Sequence, residues 1–587
     1  MILGALGTWT SAPGRVVHLR PTAGALAAAR DAPVDPGPPS FLQGDHLRAF
    51  AARRASGGTH RAWTGTATHL DGPFDGDALA RALTRFVRRH EGLRTWFDVD
   101  SCADGGDPVR HLVPADGVGF TPVPVPALSP GPGRSWDEWV TEHLTATFDA
   151  ACRPDSWAPF ALGAVVTDDG FGLFWGCDHA FTDGGSQLMV LSEIEELYAA
   201  ELAEPDTSGG SGDLPDPRGS DDLRGSSLSR PPTTGSFLDH ARAEHALAAE
   251  TPPDAPQIRA WADAVTAHDG RLPQFVLDLG LQPGETAPVK IRSATLLDGA
   301  GLARLDALAA AHGARFTGAV FAGIALTDTR LTGAADWFGV TVVGTRGPGF
   351  ETTQGWLCNF APVTFPVSDG AGPVSDGGPA SFAAVLPAAD AAFRQARNVA
   401  EVPVHAALGV MLAGGVLDPA SLGSPQLISY LDLRRFPGAG RAAYHNGLHF
   451  TGEGRTANAS LWVNRDHERL YVVTQTPDTP AAQAAVDRYL AELTATFEAA
   501  VAQDDAEAAA ADGVGDDISD DVANDAPAAA TEPAPPLASA GAPVGVSAGT
   551  PVGASAGASA GASVGAPAAG DAAPDERREA TGAGPLG

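Results

Sequence analysis

Cys177-Asp178-His179-Ala180-Phe181-Thr182-Asp183-Gly184-Gly185 closes an apolar run that starts at Phe171, and it sets a histidine four residues ahead of an aspartate-glycine pair. The run reads as a buried strand, with Asp168-Asp169-Gly170 as the turn before it and Phe160 to Thr167 as its hairpin partner. His179 then stands where a strand ends, and Asp183 where the helix Gln187 to Ala200 begins. A neutral imidazole in that position takes a proton from an attacking hydroxyl or amine, while the nearby carboxylate fixes the loop. Backbone N–H groups at Gly184 and Gly185 lie close to a developing oxyanion, an approach that glycine permits. The same residues also fit a plain structural role, with Asp183 as a helix cap and the glycines as a turn.

Outward from this stretch, His60 to Leu70 alternates like a strand, and Leu79, Leu83, Phe86 and Val87 share one helical face. Leu93-Arg94-Thr95-Trp96-Phe97 reads as a buried strand. In the second half, Leu302, Leu305 and Leu308 mark one helix and Thr317 to Leu331 a second, apolar on most sides. Trp337 to Thr345 reads as a strand, Ala457 to Thr476 as a hairpin, and Val486, Leu490, Leu493 and Phe497 as a final amphipathic helix. Helices and strands mixed in each half predict an α/β (α+β) fold of two sandwich lobes rather than one continuous doubly wound sheet.

Composition divides the chain. Residues 1–205 form an expected N-terminal lobe, 206–235 a Gly/Ser/Pro/Asp-rich linker, 236–502 a C-terminal lobe, and 503–587 a tail that turns acidic and then Ala/Gly/Ser/Pro-repetitive. Such a tail buries too little apolar area to offset chain entropy, so disorder is expected there. The formal charge of −33 disfavours nucleic acid and anionic membrane surfaces as partners. Cys102, Cys152, Cys177 and Cys358 show no metal-ligand spacing, so no metal is expected and the thiols suit a reducing cytosol. Met1 to Trp9 lacks the pattern of a signal peptide, and no apolar run is long enough to span a bilayer. A cytoplasmic protein is expected.

Several motifs agree in order with one family. Ser40-Phe41-Leu42-Gln43 followed by His46-Leu47, then Arg89-His90-Glu91-Gly92-Leu93-Arg94-Thr95-Trp96-Phe97, precede the HxxxDG stretch. Val343-Gly344-Thr345-Arg346, Gly355-Trp356-Leu357-Cys358-Asn359-Phe360-Ala361-Pro362-Val363 and Ser429-Tyr430-Leu431-Asp432-Leu433-Arg434-Arg435-Phe436-Pro437-Gly438 follow it. Up to about Ala502 the chain resembles the condensation-domain superfamily, whose fold is that of chloramphenicol acetyltransferase. The last stretch and Trp9 to Thr22 look closest to actinobacterial polyketide-associated acyltransferases.

The resemblance implies two lobes in a V around a central substrate channel, with His179 at its middle as general base and Gly184 near the reacting carbonyl. It implies that Asp183 is mainly structural and pairs with Arg346. It places Gly355, Trp356 and Asn359 at the crossover lining the channel, with Trp356 read as packing rather than a substrate platform. The implied donor is acyl-CoA or the phosphopantetheine thioester of an acyl or peptidyl carrier protein. The implied acceptor is a small alcohol or amine in lipid, polyketide or nonribosomal-peptide metabolism, with no bound cofactor and a monomeric enzyme.

Asp178 departs from the family, which usually has the first of two histidines there, His179 matching the second. Alternation along a strand predicts that its side chain faces away from His179, leaving it a supporting residue of the site. His46, His90 and His445 read as structural, because only His179 has the xxxDG context. The Asp178 departure also keeps an alternative in view, a catalytically inactive condensation-like domain that recruits a carrier protein or another enzyme.

Overall fold

A computed structural model of the chain describes residues 2–126, 133–203, 234–367, 381–423, 425–452 and 454–513. Two seven-stranded sheets form its framework. The first has the order Ile2–Leu3, Leu448–Thr451, Trp63–Asp71, Gly170–Asp178, Phe160–Val166, Arg15–Pro21, Phe120–Pro124. The strand Gly170–Asp178 sits inside this sheet, paired antiparallel with Phe160–Val166 on one side and Trp63–Asp71 on the other. It is buried on both faces. Leu173, Trp175 and Cys177 join a core with Leu83, Phe86 and Val190. Phe174 points the other way, into a core with Leu144, Phe148 and Phe450. That double burial explains a nearly unbroken apolar run.

The second sheet runs Cys358–Pro366, Asp336–Gly344, Leu427–Asp432, Ser460–Arg465, Arg469–Pro477, Ala287–Asp298, Arg455–Thr456. Helices Gly299–Ala311, Phe316–Thr332, Phe382–Val399 and Pro480–Gly513 contribute to its single large core. The architecture is the expected two-lobed mixture of helix and sheet.

Three details differ from the sequence reading. The strand Leu448–Thr451 and the short helix Ala442–His445 belong to the C-terminal half of the chain, yet the strand completes the N-terminal sheet between Ile2–Leu3 and Trp63–Asp71. Ala443 enters the N-terminal core, so the lobes interlock beyond a single linker. Leu93 and Arg94 lie in a 3-10 turn, Glu91–Arg94, and only Thr95–Asp98 is a strand. Thr95 Oγ1 closes that turn on the Gly92 carbonyl at 2.7 Å. The last helix continues to Gly513, past the expected boundary at Ala502, through an alanine-rich segment of high helix propensity. Of the expected linker, residues 206–233 lie outside the described residues, as do 514–587 of the expected tail. All four cysteines are free thiols.

Candidate active site

The strand Gly170–Asp178 ends at a 3-10 turn, His179–Phe181, because Asp178 caps it: the Ala180 N–H donates to Asp178 Oδ1 at 2.9 Å. The turn is anchored twice more. His179 N–H donates to the Ala62 carbonyl at 3.0 Å, and Gln43 Nε2 donates to the Ala180 carbonyl at 2.7 Å. The sequence therefore holds His179 by backbone and side-chain bonds from two distant elements.

Asp178 points away from His179, into a niche formed by two other histidines. His60 Nε2 lies 2.6 Å from Oδ2 and His46 Nε2 lies 3.0 Å from Oδ1. Burial alone would raise this carboxyl, but the two imidazoles overcome it and hold the group well below the usual carboxylate range. The His46 ring reaches back to the site, with its centroid 6.3 Å from that of His179 and 5.8 Å from that of Trp356. His46 is thus a neighbour of the site rather than a remote structural histidine. His46, His60 and Asp178 also bring three potential metal-ligand atoms within 4.8 Å of one another. The 2.6 Å separation of His60 and Asp178 is that of a hydrogen bond to a carboxylate.

His179 is fully enclosed. Its ring packs on the Trp356 indole, with centroids 4.0 Å apart. Burial, and secondarily the charge of His46, pushes its pKa down from 6.5 to about 4, although its own backbone, Asp178 and Asp183 pull the other way. The imidazole is therefore neutral at pH 7, the state in which it accepts a proton. His449, on the strand inserted from the second half, donates from Nδ1 to the Gly65 carbonyl at 3.0 Å. It too is pushed down to about 4, by burial and then by the charge of His179.

Asp183 stitches the two halves together. Arg346 Nη1 and Nη2 each donate to its carboxylate at 2.7 Å. The Ser186 N–H donates to Oδ1 at 2.7 Å, which caps the helix Gly184–Ala203, and the Leu357 N–H donates to Oδ2 at 3.0 Å. Arg346 also reaches Ser186 Oγ at 2.7 Å. Such a bidentate pair, whose carboxylate accepts four hydrogen bonds, orients a loop with little freedom.

The crossover residues separate in role. Gly355 has φ +154°, and its N–H donates to Ser186 Oγ at 3.2 Å. Trp356 touches His179 directly, so it is part of the site's wall and not only crossover packing. Asn359 lies elsewhere: its Nδ2 donates to the Ala400 and Val402 carbonyls at 2.8 and 2.7 Å and its Oδ1 accepts from Val404 N–H, a wholly structural arrangement. His90 is held by Glu193 at 3.0 Å, and His445 is exposed on its short helix.

Three spaces are lined by Gly184 or by residues that hold the loop. Gly184 and His449 line a small cavity of about 30 Å³ whose other walls include Leu188, Leu431, Phe450 and Trp462. Arg61 and Ala62, adjacent to the backbone that holds His179, line an open cleft of about 1300 Å³ between the halves. Arg346 lines a third space of about 590 Å³.

No family model matches the chain. Whole-chain similarity is nonetheless extensive. The chain is 29% identical over 499 residues to the 2'-acyl-2-O-sulfo-trehalose (hydroxy)phthioceranyltransferase PapA1 of Mycobacterium tuberculosis, covering 83% of this chain and 86% of that protein. It is 28% identical over 507 residues to the trehalose-2-sulfate acyltransferase PapA2 of the same species, covering 84% and 96%. A solved PapA2 acyl transferase superposes with a TM-score of 0.70 at 25% identity, over 85% of this chain and all of that one.

Similarity to the Pap acyltransferases along most of the chain identifies an acyltransferase. The first condensation domain of the calcium-dependent antibiotic synthetase shares the acyltransferase's fold, with a TM-score of 0.51 at 18% identity over 78% of this chain. Among the described residues, no helix of this acyltransferase is long and apolar enough to cross a membrane.

His46, His60, Gln43 and His449 were not legible as site residues in the sequence. The opening motif Ser40 to Leu47 contained two of them. His449 carried no motif signal at all.

Proposed function

We propose that this acyltransferase moves an acyl group from a CoA or carrier-protein thioester to a hydroxyl of a carbohydrate-type acceptor in lipid synthesis, with His179 as general base. The observation that carries the reading is the buried, neutral His179, fixed against Trp356 beside a loop clamped by Asp183 and Arg346. The relatives whose names specify acylated sulfo-trehalose supply the acceptor class.

In the reaction, the acceptor O–H gives its proton to the His179 imidazole as its oxygen bonds to the thioester carbonyl carbon. The C=O electron pair moves onto oxygen, and the N-terminus of the helix Gly184–Ala203 offers main-chain dipoles to that charge. Collapse re-forms the carbonyl and breaks the C–S bond. The leaving sulfur takes the proton back from His179, giving ester and thiol. No acyl-enzyme is needed, and no side chain beyond His179 changes its covalent or protonation state.

The test is intact-product mass spectrometry with acyl thioesters and trehalose-type acceptors, comparing wild type with His179→Ala. Product from wild type and a loss of at least about a hundredfold in the variant is expected for a general base. Equal product from both removes His179 from the mechanism. Tight carrier-protein binding with no turnover of any thioester favours a recruitment module instead.

A further inference from the structure

The space bordered by Arg346 is unusual for a chain with a formal charge of −33. Arg315, Arg346, Arg397, Arg434, Arg435 and Arg465 line it, against only two carboxylates, Asp306 and Asp432. Both carboxylates are already engaged. Asp432 is held by Arg434 at 2.7 Å and by Arg435 at 3.2 Å, and Asp306 pairs with Arg465, whose guanidinium also lies 4.0 Å from the Phe316 ring centre. Arg315 turns to Asp390 at 2.9 Å, outside the lining.

Arg397 forms no ion pair or hydrogen bond among the described residues. Burial, and after it the like charge of Arg315, act against its protonated form and outweigh the nearby Glu401 carboxylate. Half-buried guanidinium groups crowded in this way are stabilised by a bound anion, and their planar forks match the oxygens of a phosphate or sulfate. The volume, about 590 Å³, exceeds what a lone inorganic ion fills and suits an ester carrying the anion. Arg346 belongs both to this lining and to the clamp on Asp183, so an anion held here sits beside the His179 loop.

We propose that this arginine-lined pocket binds the phosphate or sulfate ester of one of the two substrates, and so selects an anionic substrate over its neutral counterpart. The inference rests on the acyl-transfer reading and specifies its substrate class. Two sources share the chemistry, the phosphates of CoA or phosphopantetheine on the donor and a sulfate ester on the acceptor.

The experiment is calorimetric binding of CoA, trehalose 2-sulfate, trehalose and inorganic phosphate to the full chain. Wild type is compared with Arg397→Gln, with Arg435→Gln, which alters a largely exposed side chain, and with His179→Ala. Losing a charge-assisted contact is expected to weaken the anionic ligand about tenfold in each arginine variant, while His179→Ala binds as wild type does. Inorganic phosphate is expected to compete. Weakening confined to CoA assigns the pocket to the donor, and weakening confined to trehalose 2-sulfate assigns it to the acceptor. Equal affinity of both esters for wild type and both arginine variants, or no binding of any anion to wild type, overturns the proposal.

The two readings fail separately. Arginine-dependent binding by a protein that forms no ester leaves the pocket standing and removes the activity. Ester formation with arginine-independent binding does the reverse.

Discussion

Arg346 holds Asp183 through two parallel hydrogen bonds of 2.7 Å each, across 163 residues of sequence and between the two sheets. Both side chains are buried, and the carboxylate also accepts main-chain N–H groups from Ser186 and Leu357. One ion pair thereby fixes the start of the helix after His179 and the crossover that carries Trp356. Removing one partner leaves a buried charge uncompensated. Arg346→Ala is expected to cost about 3–5 kcal/mol in urea unfolding and to abolish turnover. Arg346→Lys keeps the charge but loses the fork, so an intermediate loss is expected.

Acid sensitivity follows from four imidazoles withdrawn from water. Burial is the leading cause that pushes His18, His179, His240 and His449 from 6.5 to about 4. Between these values the unfolded chain takes up protons that the folded chain does not. Stability is therefore fully present above 6.5 and falls as the pH drops towards about 4. The acid limb of kcat/KM is expected near pH 4, and a limb at 6.5 in a pH–rate profile would contradict the burial of His179.

Asp178→Asn tests the niche behind the site. An amide has one acceptor oxygen where the carboxylate serves His60, His46 and the Ala180 N–H. Loss of buried hydrogen bonds to a charged group is expected to cost about 3 kcal/mol by chemical denaturation. The His46 ring is released beside His179, so kcat falls while KM stays within about twofold.

Gly355→Ala is a steric test of the crossover. The backbone there has φ +154°, and an added Cβ would lie 2.3 Å from the Phe237 ring. Strain of this kind costs about 2–3 kcal/mol. The double variant Gly355→Ala, Phe237→Leu is expected to recover part of the midpoint shift in thermal unfolding, and an unaltered midpoint in the single variant refutes the clash.

Asp328 gives an opposite pH signature in the second lobe. Burial raises its carboxyl from 3.8 to about 7, while Trp337 Nε1 donates to it at 2.7 Å. A raised carboxyl contributes fully below 3.8, and that contribution is lost as the pH rises through about 7. Asp328→Asn keeps an acceptor for Trp337, so unfolding free energy at pH 8 is expected to rise and its slope between pH 5 and 8 to flatten.

Local pattern carried much of this protein. The apolar run Phe171 to Cys177, the helical face of Leu79, Leu83, Phe86 and Val87, and the hairpins are set by periodicities that neighbouring residues share, so they are readable in one dimension. The same holds for Asp183 as a helix cap, which needs only the next three residues.

The convergence of His46, His60 and Asp178, and the placement of His449 beside His179, depend on which strands pair and how the halves cross. Leu448–Thr451 enters a sheet whose other strands all lie before residue 179, and no spacing announces it. The six arginines of the anion pocket come from separate segments between Arg315 and Arg465, and no spacing announces that they meet. The sequence by itself determined the elements and the histidine at a strand's end. Only the tertiary structure decided its neighbours, its neutrality and the charge beside it, because burial and electrostatics depend on distances in space rather than along the chain.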